Sequence, residues 1–168
     1  MKAIVTFRSL ADGSVVALCD NHKGMSVDAD KVREYMNKMV ELTGGTDVEF
    51  NDTFRQICKD RVFFTYEPDI DVEKFYDEPS VPNVVECVLL STDEVAMNVN
   101  GKVLVFFPEE GNQIFATKED AHKAAVENVQ YLNSVCLDYL FASRKELKEI
   151  IKQLNNDIEK HLNFKKNL

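Results

Sequence analysis

The chain has 168 residues, with 29 acidic against 20 basic side chains, a net charge of -9, no Trp and 45% hydrophobic residues. That length fits one domain, or a domain with an appendage, and the apolar fraction is that of an ordinary globular protein, which excludes disorder or low-complexity sequence as the main state. No apolar run approaches the ~20 residues that span a bilayer, and the acidic balance disfavours direct binding to a phosphate backbone.

Residues 2–8 and 14–19 alternate and are rich in Val, Ile and Phe, with the turn signal Ala11-Asp12-Gly13-Ser14 between them. This predicts an N-terminal β-hairpin. The first residues are too soon charged for a signal peptide, so a cytoplasmic location is expected. Residues 27–42 read as a helix with Ser26 or Asp28 as cap and Val32, Tyr35, Met36, Met39 and Val40 as its apolar stripe, stopped by Gly44-Gly45. A short helix over 52–59 carries Phe54, Ile57 and Cys58, and 61–66 reads as a strand. Residues 67–82 are acidic, with prolines at 68, 79 and 82, and so predict a loop with at most one helical turn near 71–76.

Residues 84–116 read as a meander. Val84 to Leu90 and Glu94 to Val99 are strands joined by Ser91-Thr92-Asp93, and Asn100-Gly101 predicts a two-residue hairpin turn. In that register Val99 faces Lys102, Met97 faces Leu104 and Val95 faces Phe106. The strand starting at Lys102 is apolar on both faces, which predicts a central place in a sheet. Residues 118–163 are helical, opened by the capping box Thr117-x-x-Asp120. Ala121, Ala125, Val129, Leu132, Cys136 and Tyr139 share one face, and Leu147, Ile151, Leu154 and Ile158 continue a stripe at spacings of four, three and four. Ser143-x-x-Glu146 is a second capping box, yet no Gly or Pro follows residue 111. One reading is a continuous helix of roughly 70 Å. The preferred one is a helical hairpin broken near 141–146, so that the four-residue stripe folds back and any homodimer is weak.

Catalytic and metal-binding chemistry finds little footing. Cys19-x-x-His22 is a single C-x-x-H pair where a structural zinc site takes four ligands, and His122 and His161 have no Cys or His close in sequence. Cys19, Cys58, Cys87 and Cys136 each lie within an apolar run and read as reduced small hydrophobes, with no disulfide expected. The six glycines are scattered, no Gly-x-Ser-x-Gly elbow or Gly-Lys-Ser/Thr occurs, and Gly44-Gly45 follows a helix instead of preceding one. Asp69, Asp71 and Glu73 alternate as calcium ligands do, but Lys74 stands where a calcium loop needs Gly. No cofactor and no metal are predicted.

Two features point outward. Asp69, Asp71, Glu73, Asp77 and Glu78 surround Phe75 and Tyr76 on a Pro-bounded loop, where aromatics would anchor and acids would steer a partner protein with a basic surface. The second is the stripe Leu147, Ile151, Leu154 and Ile158, a candidate self-association surface. Charge is also uneven, with +3 over residues 143–168 and -12 over the rest.

The sequence therefore predicts an α+β fold: an antiparallel sheet of hairpin and meander, covered by helix 27–42 and a C-terminal helical hairpin. The expected units are a sheet core over 1–117 and helices over 118–168, packed as one structure. The expected function is a non-enzymatic acidic protein-binding module, regulatory or inhibitory. An inhibitor of this kind would suit a virus-encoded antagonist of a host protein, or a nucleic-acid mimic occupying a basic groove. The alternative is a small-ligand carrier or small enzyme with a pocket between the sheet and helix 27–42, lined by Tyr35, Met36 and Met39.

Overall fold

A computed structural model describes residues 2–20, 25–45, 47–67 and 72–166, with the side chains of 72–74 outside that set. The fold is α+β, as expected, with two antiparallel sheets and helices around them. Strands β1 (Val5–Ser9) and β2 (Val15–Cys19) form the N-terminal hairpin in the register Val5↔Cys19 to Ser9↔Val15. Its turn is held locally, since the Asp12 carboxylate accepts from the Ser14 amide at 3.0 Å and from its hydroxyl at 2.6 Å.

Helix α1 (Ala29–Leu42) is capped by Asp28, which accepts from the Lys31 amide at 3.3 Å. That hydrogen bond holds the Asp28 carboxyl below its usual range. At its other end Gly44 and Gly45 take positive φ, and the Gly45 amide donates to the Val40 carbonyl at 2.7 Å. Helix α2 (Asp52–Ile57) is capped in the same way by Asn51, which accepts from the Phe54 amide at 3.1 Å. Strand β3 (Phe63–Tyr66) follows, then the short helix α3 (Val72–Asp77) inside the Pro-bounded loop.

The meander is β4 (Val84–Leu89), β5 (Val95–Val99) and β6 (Lys102–Phe106), with the short β7 (Gln113–Ile114) after it. Asn100 and Gly101 adopt φ of 53° and 82°, and the pairs Val99↔Lys102, Met97↔Leu104 and Val95↔Phe106 form as the turn chemistry predicts. Two expectations are corrected. Hairpin and meander make two sheets, ordered β2-β1-β7 and β3-β4-β5-β6. Their backbones are linked at the bridge Phe64↔Phe115, whose two hydrogen bonds measure 2.9 and 2.8 Å, and Ala17 of β2 donates to the Thr92 carbonyl at 2.7 Å. Strand β6 is terminal in its sheet, not central: its Val103 and Val105 pack on the helix side while Leu104 stays 51% exposed. Its outer edge is met by residues 48–50, with Val103 donating to Val48 at 2.8 Å.

The central strands β4 and β5 of the four-stranded sheet are buried on both faces. Cys87, Leu89, Val95 and Met97 meet Val5, Phe7 and Ile114 of the hairpin sheet. Val88, Leu90 and Ala96 meet Val32 of α1 and Phe54 of α2. Two ion pairs tie the helices to the sheet, Arg33 to Glu94 and Arg55 to Glu86.

The third correction concerns the C-terminal helices. Helix α4 (Lys118–Lys166) runs unbroken for 49 residues, so the helical hairpin over 118–168 does not form. Thr117 does cap it, accepting from the Asp120 amide at 3.1 Å. Ser143 lies inside the helix instead of capping a second one. A cap needs a residue that leaves helical geometry, and with no Gly or Pro nearby the backbone ladder continues at lower cost. Ala121, Ala124 and Ala125 are the buried residues of α4, the first two packed with Phe115 and Ala3.

Phe54, fully buried between Tyr35 and Phe50 with ring centroids 6.4 and 4.8 Å away, is the largest side chain joining α2 to the sheet. Phe54→Ala is expected to lower stability by about 3–5 kcal/mol, whereas Phe107→Ala, at a residue 66% exposed, should change it by no more than about 0.5 kcal/mol. Urea unfolding midpoints read both, and equal effects would contradict this placement of the core.

Candidate interaction surface

Helix α4 leaves the body early. Its last ring contact with the rest of the chain is Tyr139, whose ring meets Tyr76 of α3 edge-on at 6.4 Å and 72°. From 140 to 166 every residue is exposed except the partly covered Ser143 and Asp157. Those 27 residues project roughly 40 Å at 1.5 Å per residue. Leu147, Ile151, Leu154 and Ile158 are 55–58% exposed, about what a bare helix leaves to solvent. Leu137 and Leu140 extend the stripe toward the body and Leu162 toward the tip. Sequence reading stopped at four residues and missed these three, although Leu140, Leu147 and Leu154 recur every seven residues. On the polar side, Asp157 takes Lys160 at 3.1 Å and Gln153 at 3.3 Å, pairs that solvate the helix.

Each Leu or Ile of this stripe would contribute roughly 1.5–3 kcal/mol if fully buried. Left in water, the set forgoes as much as the whole net stability of a typical domain. Scattered exposed apolar residues are ordinary, but a continuous stripe on one helix face marks a contact surface.

The acidic-aromatic loop divides. Asp69 and Asp71 lie outside the described residues, and Glu73 belongs to α3 with its side chain outside them too. Phe75 is buried at 5% exposure, so it faces the chain's own interior. Tyr76 is 42% exposed and turned onto α4, where a hydrogen bond with Cys136, followed by desolvation, raises its hydroxyl pKa. Asp77 and Glu78 face solvent.

The space between the sheet and α1 is filled. Val32, Phe54, Cys58, Val88, Leu90 and Ala96 occupy it, with Tyr35 and Met36 packed against them. Outside this layer lies an open dish of about 350 Å³ lined by Lys31, Glu34, Tyr35, Lys38 and Ile57. Between the two sheets a gap of about 10 Å³ is lined by Phe7, Met97 and Phe106 among others, no more than one water, and at the rim an open cleft of about 410 Å³ is lined by Ala17, Cys19, Met25 and Leu89 among others. Among the described residues no three His, Cys, Asp or Glu side chains gather as a metal site. His22 lies outside them; His122 and His161 sit on α4, 39 residues apart. No helix among the described residues is long and apolar enough to cross a membrane. No protein-family model matches the chain, and no curated protein or solved structure is similar to it.

The four cysteines are free thiols. Burial pushes the Cys58 thiol up to about 11 and raises that of Cys87 as well, so both stay protonated near neutral pH. A thiol raised by folding ionises first in the unfolded chain. Its effect on stability is therefore absent below the ordinary thiol value of 9.0 and becomes a loss as pH rises towards about 11. At about pH 8 an aromatic disulfide reagent is expected to modify exposed Cys19 first and half-buried Cys136 more slowly, while Cys58 and Cys87 react only in denaturant. Fast modification of Cys58 or Cys87 in the native protein would overturn this assignment.

Proposed function

We propose that this chain is a non-enzymatic protein-binding module, regulatory or inhibitory, that acts in the cytoplasm. The observation that carries the reading is the apolar stripe of α4, held in water on a helix that the body fixes at its base. A rigid helix presenting apolar residues at spacings of three and four is a standard way of engaging another polypeptide. The acidic body supplies the second element. Its charge of -12 over residues 1–142 favours partners with basic surfaces and speeds their encounter at low salt. Asp77 and Glu78, exposed beside the base of α4, would add to that steering. Four free thiols support a reducing compartment.

The test is affinity capture from the native host with the full chain and with its Leu154→Asp variant as parallel baits, followed by mass spectrometry. A polypeptide recovered at stoichiometric level by the native chain, and at least about tenfold less by Leu154→Asp, is the expected result. The variant should keep the strand signal in circular dichroism and the cooperative unfolding of the body, because Leu154 is exposed on the projecting part of α4. Recovery of the same polypeptides by both baits rejects the reading.

A further inference from the structure

The exposed face of α4 follows a heptad repeat. Counting from Leu137, the inner positions are Leu137, Leu140, Arg144, Leu147, Ile151, Leu154, Ile158 and His161, alternating steps of three and four. These are the a and d positions of a coiled coil, with Ile151 and Ile158 at a and Leu140, Leu147 and Leu154 at d. We propose that this seam is covered by a second copy of the same chain, the two α4 helices packing in parallel as a two-stranded coiled coil from about Leu137 to His161. The proposal rests on the reading of α4 as a docking surface and names its occupant.

Four observations favour this occupant. First, β-branched residues at a with Leu at d are the combination that packs best in parallel two-stranded coils. Second, the flanking e and g positions hold Phe141, Ser143, Lys148, Ile150, Asn155, Asp157 and Leu162, with one charge of each sign. Partner choice between unlike helices is written in charges at those positions, and here almost none is present, whereas an apolar seam is complementary to itself. Third, the seam is unobstructed. Leu140 is turned about 100° around the axis from Tyr139, whose ring meets α3, and the seam residues beyond it are exposed. Fourth, the area is adequate. Covering the exposed parts of the seam and of Phe141, Ile150 and Leu162 removes on the order of 500 Å² of apolar surface per copy. That is about 1,000 Å² for the pair, the size that separates specific interfaces from incidental contacts. Arg144 is the one charged residue between Leu137 and Ile158 on the seam. A long polar side chain at a single a position disfavours other registers and higher oligomers, and its guanidinium can reach water past the seam.

Sedimentation equilibrium of the full chain at about 10 to 100 µM, repeated at about 1 M salt, should give twice the monomer mass in both conditions. Leu154→Asp places facing carboxylates in the seam and should weaken the dimer on the order of 100-fold or more. Asn156→Asp adds the same charge on the outer face and should leave it intact. Orientation is read by oxidation in a Cys19→Ser, Cys136→Ser background. Leu147→Cys should cross-link, because equivalent d positions meet only in the parallel arrangement, and Glu149→Cys on the outer face should not. A monomer at every concentration, a dimer that survives Leu154→Asp, or failure of Leu147→Cys to cross-link overturns the proposal. A monomer that still captures a different protein through Leu154 overturns self-association and leaves the binding-module reading standing, whereas the loss of both rejects both.

Discussion

Strands β4 and β5 bury side chains on both faces, and the rest of the molecule is arranged around that demand. Cys87, Leu89, Val95 and Met97 point to one side and Val88, Leu90 and Ala96 to the other, all of them nearly or fully excluded from water. A sheet apolar on both faces needs two covers. The N-terminal hairpin with β7 supplies one, and α1 with α2 the other. Phe7 and Ile114 fill the first interface, Val32 and Phe54 the second. With both filled, α4 covers the edge formed by Phe64, Tyr66 and Val84 of β3 and β4.

That completeness explains the position of α4. The helix meets the body at a corner, where small residues allow close approach: Ala121 and Ala124 are buried against Phe115 and Ala3. Tyr76 adds a second clasp by meeting Tyr139. The central strands leave no apolar face for residues 140–166 to cover. A helix of 27 residues without support exceeds the ~12–15 below which isolated helices are marginal in water, but most helical stability in proteins comes from packing one face. The seam of Leu and Ile is therefore both the least satisfied surface of the molecule and the feature that would stabilise the projecting helix once covered.

Polar interactions play a smaller part. Arg33–Glu94 and Arg55–Glu86 orient the helices on the sheet, and Arg55 also spans to Asp52 at 2.9 Å and lies over the Phe50 ring at 5.4 Å. Pairs this accessible contribute about 0–1 kcal/mol each, so they adjust a structure that apolar burial has already specified. Among the described residues no polar or charged residue is buried. The titratable groups raised by burial are thiols and a tyrosine, Cys58, Cys87 and Tyr66, whose neutral forms suit a packed interior.

What was legible in the sequence is what local chemistry decides. Asn100-Gly101 set both a turn and the pairing of five residues on each side, because a two-residue turn with positive φ admits one register. Asp28, Asn51 and Thr117 marked helix starts because a cap acts within three residues. The stripe Leu147, Ile151, Leu154 and Ile158 was visible because helical periodicity places those side chains on one face. Other outcomes depended on contacts between distant segments. Splitting into two sheets, bridged at Phe64 and Phe115, depends on where the six residues between β6 and β7 bring β7 back against β1 instead of β6. The edge position of β6 depends on residues 48–50 arriving beside it. The continuity of α4 was the closest contest, since Ser143 and Glu146 offered a cap and the absence of Gly and Pro offered none of the means to turn. Local propensity alone left the two nearly balanced. The tertiary structure decided between them, because a fold-back repays its turn only if an apolar face is waiting, and both faces of the central strands were already covered.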